Sequence, residues 1–316
     1  MTPPFVRPDV RAFLDAGQAS GAPPLNELPV ELARAGIRQL GTAADADPRP
    51  LPLVRDLACP GPGGAIALRL YDSRLERDEG PAILYFHGGG FVFGDLDSHD
   101  SFCRHLAAEL DLPVLAVDYR LAPEHPFPAF VDDAEAAARW LASSPPEIGR
   151  AVSGIATCGD SAGGHLAIAV AQQLAEVPAA VPVIAQLVVY PYLGGGTDWE
   201  SVRRFGEGFM VTRAVMDWFD GLCGNPGDDP RYCLLRRTPP ATPLLVQTAS
   251  LDPLRDQGAA YADAAREAGA RVIHIEAEGM IHGFVNLRKA LPSAQADVDA
   301  FISAARAMLK ADVDRP

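Results

Sequence analysis

Short apolar runs alternate along this chain with longer stretches whose apolar positions recur at helical spacing. The short runs predict strands near residues 81–86, 113–118, 155–158, 183–190, 243–248 and 271–277; the longer stretches predict helices near 129–142, 162–176, 256–268 and 293–310. Ahead of them, Leu53 to Leu57 and Ala65 to Tyr71 flank a Pro/Gly cluster and read as a hairpin. Strand and helix in turn predict one large α/β domain, with a mostly parallel sheet and helices on both faces. Two regions break the alternation: 1–45, with helical stretches around Val10–Leu14 and Glu31–Ala35, and 194–237, which opens on Gly194-Gly195-Gly196. The repeating core therefore divides into 46–193 and 238–316.

The chemistry sits where runs end. After Ile155-Ala156-Thr157-Cys158 comes Gly159-Asp160-Ser161-Ala162-Gly163-Gly164, the pattern of a nucleophile elbow. A serine hydroxyl attacks well only when held proud of the backbone beside a base, and so sharp a strand-to-helix turn needs glycine at 159 and 163. Upstream, Ala82 to Phe86 runs into His87-Gly88-Gly89-Gly90, where missing side chains leave amides free to face a cavity. Gly88, Gly89 and the amide of Ala162 are the candidate oxyanion donors, and losing one such donor costs about 3–4 kcal/mol of barrier. Downstream, Pro243 to Thr248 leads to two acids, Asp252 and Asp256. Asp252 comes first after the strand and precedes a stiffening proline, so it is the acid expected to orient a base. Asp256 stands where a helix begins and reads as a cap or dipole partner.

Seven histidines compete for the role of base. His274 lies inside a strand pattern, and His87 is placed to brace the glycine loop. His165 follows Ser161 by one helical turn and points along the helix. His99, His105 and His125 carry surface or structural expectations. His282 lies in Glu278 to Phe284, read as a loop after the last strand, and completes the order Ser, Asp, His used by α/β-hydrolases.

These motifs, with Phe91, Gly94, Asp118-Tyr119-Arg120-Leu121-Ala122-Pro123-Glu124, Asp252 to Asp256 and His282-Gly283-Phe284, span most of the chain. Together they resemble the hormone-sensitive-lipase-like branch of α/β-hydrolase carboxylesterases, of the bacterial type. The resemblance implies an α/β-hydrolase fold, a Ser161–Asp252–His282 triad and a helical cap formed by 1–45 and 194–237. It further implies a pocket drawn from Phe91, Phe205, Phe209, Met210, Trp218, Ile281 and Phe284, with Tyr119 to Glu124 as a structural brace. The expected reaction is hydrolysis of short- to medium-chain acyl esters, with no cofactor and no metal. Relatives of this type often pair through a sheet edge, which makes a homodimer the expectation by analogy. Amidase, lactonase or acyltransferase chemistry would use the same triad. A binding protein such as the plant gibberellin receptor is the remaining reading, though there the catalytic histidine position is changed and here His282 is present.

Composition narrows the partners. A net charge of −14 and a pI near 4.9 disfavour nucleic acid and anionic membranes, both of which need basic surface. No apolar run approaches membrane-spanning length, and the first residues lack the layout of a signal peptide, so a cytoplasmic protein is expected. Cys59, Cys103, Cys158, Cys223 and Cys233 form neither a C-x-x-C pair nor a metal-ligand spacing and read as free thiols. Because the base must be neutral, activity should fall as pH drops through a histidine-like pKa, about 6.5 for an unperturbed imidazole.

Overall fold

The computed structural model describes residues 3–194, 196 and 198–313. Met1, Thr2, Gly195, Thr197 and 314–316, which fall within the segments 1–45, 194–237 and 238–316 delimited from sequence, lie outside the described residues. Eight strands form one sheet: β1 (Leu53–Gly61), β2 (Gly64–Asp72), β3 (Gly80–Phe86), β4 (Val114–Asp118), β5 (Val152–Asp160), β6 (Val183–Val189), β7 (Leu244–Leu251) and β8 (Val272–Ile281). Their order is β1-β2-β4-β3-β5-β6-β7-β8. β2 pairs antiparallel with both β1 and β4, and every other neighbour is parallel.

The two-residue period of a strand assigns its side chains to two cores. On β3, Ala82, Leu84 and Phe86 enter one core while Ile83 and Tyr85 enter the other. The first core is closed by helices α4 (Ala129–Ala142), α5 (Ala162–Glu176) and α8 (Arg255–Glu267), through Phe130, Leu166, Ile168 and Tyr261. The second is closed by α3 (Asp100–Leu110) and α9 (Ala294–Val313), through Phe102, Leu106, Phe301 and Ile302. Burial on both faces is why the central strands read as unbroken apolar runs.

The segments that break the alternation supply α1 (Pro8–Ala19), α2 (Val30–Ala44), α6 (Glu200–Phe205) and α7 (Arg213–Leu222). Arg34 on α2 is fixed to the core by hydrogen bonds to the carbonyls of Val92 and Ala122 and by a two-pronged pair with Glu124. Arg120 pairs in the same way with buried Asp133, so the Tyr119 to Glu124 stretch joins several elements.

One element differs from expectation. Residues 278–281, read as loop, continue β8: Ile281 pairs with Leu251 beyond a register shift, and Gly279 sits there at φ +71 with its amide on Ser250 Oγ. A glycine that reads as a loop signal is here the kink of a β-bulge. The strand thus delivers its next residue, His282, directly to the carboxyl end of the sheet.

Candidate active site

Parallel strands end on one edge of the sheet, and β3, β5, β7 and β8 each deliver a chemical group there. After β5, Ser161 adopts φ 54 and ψ −118, a conformation non-glycine residues avoid. Its surroundings hold it: its amide donates to Val189 O at 2.9 Å, and its carbonyl accepts from His165 and Tyr192 amides, each at 3.1 Å. A methyl group on Gly159 would strike the backbone of Gly163, and one on Gly163 would strike the Phe86 carbonyl. The elbow glycines are therefore required by the approach of α5 to β3.

Asp252 follows β7 and is fully buried. Its Oδ1 accepts from the Leu254 amide at 2.8 Å, and its Oδ2 lies 2.7 Å from His282 Nδ1. His282 Nε2 in turn lies 2.8 Å from Ser161 Oγ. With Nδ1–H donating to the carboxylate, Nε2 is left as the acceptor for the serine proton. Asp256, the rejected alternative, accepts from the Ser201 amide and pairs with Arg255 at the start of α8.

The loop after β3 departs from the sequence reading at one atom. The Gly88 amide is already committed, donating to Asp160 Oδ1 at 2.9 Å. Among the described residues, nothing accepts from the amides of Gly89, at φ +121, or Gly90, at φ +61. The Ala162 amide, in the first turn of α5, has no partner within the helix. Side chains at 89 and 90 would collide with the Phe93 backbone and the Phe219 ring respectively, so the close approach of backbone to cavity demands glycine. Of the expected donors, the Gly88 amide is thus engaged within the protein, while the amides of Gly89 and Ala162, and that of Gly90 beside them, are open.

The chain matches the model of the α/β-hydrolase fold family over residues 83–286, a span holding all three catalytic candidates. It belongs to that family. The hydrolase is similar to a carboxylic ester hydrolase, LipN, of Mycobacterium tuberculosis, 38% identical over 81% of this chain and 70% of the relative. It is similar also to an ethyl acetate hydrolase of Pseudomonas putida, 34% identical over 89% of this chain and 92% of that one. A thermostable esterase structure from Pseudomonas putida superposes with a TM-score of 0.91 at 28% identity, covering 98% of this chain and 99% of the other. The family match and these similarities place the chain in the hormone-sensitive-lipase-like branch that its motifs resemble.

A cavity of about 170 Å³ opens on Ser161 and His282 in the hydrolase. Gly89, Gly90 and Phe91 form its floor, with Leu25, Ile37 and Leu40 from the N-terminal segment and Met210, Val215, Met216 and Phe219 from the second inserted one. Of the seven side chains expected in the pocket, Phe91 and Met210 line it. The other five do not. Ile281 and Phe284 point into the second core, where Phe284 packs on Tyr190 with ring centres 5.2 Å apart. Phe205 is buried against Phe209 and under Arg255. Trp218 stacks outside Phe93 and Phe219. Helical phase decides the outcome on α7: the faces of Val215, Met216 and Phe219 turn to the cavity and that of Trp218 turns away.

Sequence reasoning passed over Asp160. This buried carboxylate accepts from the Tyr85 hydroxyl at 2.7 Å and the Tyr190 hydroxyl at 3.4 Å besides the Gly88 amide. Burial works to raise its pKa, but nearby His99, with Nε2 at 3.3 Å, and the Tyr85 hydroxyl outweigh it, so the group lies below the ordinary carboxylate range. His99 is therefore a buried partner of Asp160 and a cavity residue, the structural rather than the surface side of its expectation. His87 is buried with its ring stacked on Tyr119 at 4.3 Å, and burial together with His99 drives its pKa down to about 4. It stays neutral and braces the loop, its Nδ1 2.8 Å from Gly88 O. Among the described residues, no three His, Cys, Asp or Glu side chains are grouped to hold a metal ion.

Proposed function

We propose that the protein is a carboxylic ester hydrolase acting on short- to medium-chain acyl esters through Ser161, His282 and Asp252. The observation that carries this reading is the unbroken chain Asp252–His282–Ser161, with contacts of 2.7 and 2.8 Å, opening on an apolar cavity beside unengaged amides. Ser161 Oγ attacks the ester carbonyl as His282 Nε2 takes its proton, and Asp252 stabilises the imidazolium. The amides of Gly89, Gly90 and Ala162 hold the negative oxygen of the tetrahedral intermediate. The proton passes to the leaving alcohol, and water activated by His282 then releases the acid from the acyl-enzyme.

Segments 1–45 and 194–237 act as the cap over the site, a role supported by Leu25, Ile37 and Leu40 on one side and Val215, Met216 and Phe219 on the other. A cytoplasmic location is part of the proposal. It is supported by five buried free cysteines and by the finding that, among the described residues, no helix is long and apolar enough to cross a membrane. The homodimer expectation stays with it and is read by light scattering.

The test is hydrolysis of p-nitrophenyl esters from acetate to laurate by wild type and Ser161→Ala. Wild type should cleave the short members, and the variant should lose about 10⁴-fold or more in kcat. Equal rates for both proteins would remove Ser161 from the mechanism.

A further inference from the structure

The cavity lining is largely apolar, and besides the Asp160–His99 pair it carries one further acid among the described residues. Asp220, in the last turn of α7, lines it together with Tyr192 and Tyr232. Its Oδ1 accepts from both phenols, at 2.7 Å from Tyr192 and 2.6 Å from Tyr232. Its Oδ2 has no partner among the described residues, and no Lys or Arg lines the cavity. The placement works against stability: a carboxylate near a helix C-terminus meets the negative end of the dipole, and an apolar wall gives it no counter-charge. Local rules broken in this way, with compensation on one oxygen only, mark a position kept for something other than the fold.

Burial pushes the Tyr192 and Tyr232 hydroxyls far above the usual phenol range, so both remain donors. Their hydrogen bonds fix the rotamer of Asp220 and leave Oδ2 as an acceptor fixed in position. Tyr192 links Asp220 to the elbow: its hydroxyl donates to the carboxylate and its amide donates to Ser161 O at 3.1 Å. Ser161 and Asp220 line the same cavity, so a substrate held at Ser161 shares that space with the free oxygen.

We infer that Asp220 is a specificity anchor, and that the preferred esters carry a hydroxyl on the acyl or the alcohol part that donates to its free oxygen. The inference rests on the esterase reading above and narrows it. A third hydroxyl satisfies the carboxylate in the manner of the two phenols, without the cost of desolvating a cation. An ester with only alkyl groups leaves Oδ2 facing apolar carbon, and one with a carboxylate at this position is repelled.

Two substrate pairs test this by proton release: ethyl butyrate against ethyl 3-hydroxybutyrate, and butyl acetate against 4-hydroxybutyl acetate. Wild type should favour the hydroxylated member of at least one pair in kcat/KM by about tenfold, the worth of one hydrogen bond to a charged group. Asp220→Asn keeps an oxygen for both phenols and turns an amide N–H₂ toward the cavity. It should abolish the preference, read as the ratio of kcat/KM within each pair. Tyr232→Phe removes one of the two bonds that hold the carboxylate and should weaken the preference. No preference in either pair, or an equal loss on plain and hydroxylated esters in Asp220→Asn, overturns the anchor. Cleavage of no ester by wild type overturns the parent reading itself, which the plain esters report directly.

Discussion

The carboxyl end of the sheet and the two segments laid over it build one cavity under different constraints. At the sheet end, Ser161, Gly89, Gly90 and Gly163 hold backbone positions that admit little else: a positive φ or a collision decides each. Over the site, Leu25, Ile37, Val215 and Met216 contribute apolar side chains from helical segments whose other faces are polar. The catalytic floor is therefore fixed by backbone geometry, and the roof only by which face of a helix turns inward. Chemistry and specificity should accordingly respond to different substitutions.

The largest separation should come from two roof residues on opposite sides of this line. Phe205, 2% exposed and packed on Phe209 under Arg255, lies outside the cavity, so Phe205→Ala should cost about 3–5 kcal/mol of stability with the acyl-chain optimum unchanged. Met216 lines the cavity, so Met216→Ala should move the optimum toward longer acyl chains. Thermal melts and the p-nitrophenyl series read both effects. A shift in the optimum from Phe205→Ala would erase the distinction between packing and lining.

Legibility followed the same divide. Ser161, Asp252 and His282 were readable because strand, turn and loop signals bracket each of them in chain order. The oxyanion loop was readable as a loop but not atom by atom: glycine spacing does not reveal that Asp160 has already claimed the Gly88 amide. Ile281 and Phe284 flank His282 in sequence, yet the end of a strand and a one-turn helix send both into the second core. Trp218 was misread for want of helical phase, and Asp220 was passed over because nothing local distinguishes it from a surface acid. Its two phenol partners are 28 and 12 residues away.

Acid should strain the seam between floor and roof. His165, on α5, is fully buried between two carbonyls, Tyr192 O and Arg231 O, each 3.2 Å from a ring nitrogen. Burial holds His165 at a pKa of about 4, and the same pressure with His99 beside it holds His87 there. Both are below the 6.5 of an unfolded chain. Between those values the unfolded chain binds protons that the folded one refuses, so stability falls as pH drops from about 6.5 to about 4. Asp118 opposes this: burial and Asp95 raise its pKa to about 6, so it gains stability over part of the same range. Burial also lowers His105 and His274, so four histidines act against Asp118 and a net loss of stability is expected. Melting temperatures at pH 7 and pH 4.5 measure it, and His165→Phe should flatten the slope. An unchanged slope would remove His165 from the account.

The smallest predicted effect tests whether the floor is as rigid as its geometry implies. Asp160 touches no reacting atom, yet it holds the Gly88 amide at 2.9 Å, two residues before Gly90, and is itself held by Tyr85 and Tyr190. Asp160→Asn keeps the shape and, with its oxygen at Oδ1, the acceptor of the Gly88 amide and the Tyr85 hydroxyl, but it sets an N–H₂ against the Tyr190 hydroxyl and removes the negative charge beside His99. The loop should shift by a fraction of an ångström, and amides aimed at a developing charge lose value quickly with misplacement. The expected result is a fall in kcat of about 10- to 100-fold, or about 1.4–2.7 kcal/mol, with KM within about twofold. A role confined to stability would lower the melting temperature and leave kcat alone, because folded molecules would still present Gly89, Gly90 and Ala162 correctly. A positioning role shows itself as a kcat loss that persists well below the melting transition. If kcat stays at the wild-type value, the oxyanion loop is held by its glycine geometry alone, and the buried carboxylate beside the nucleophile belongs to the fold rather than to the chemistry.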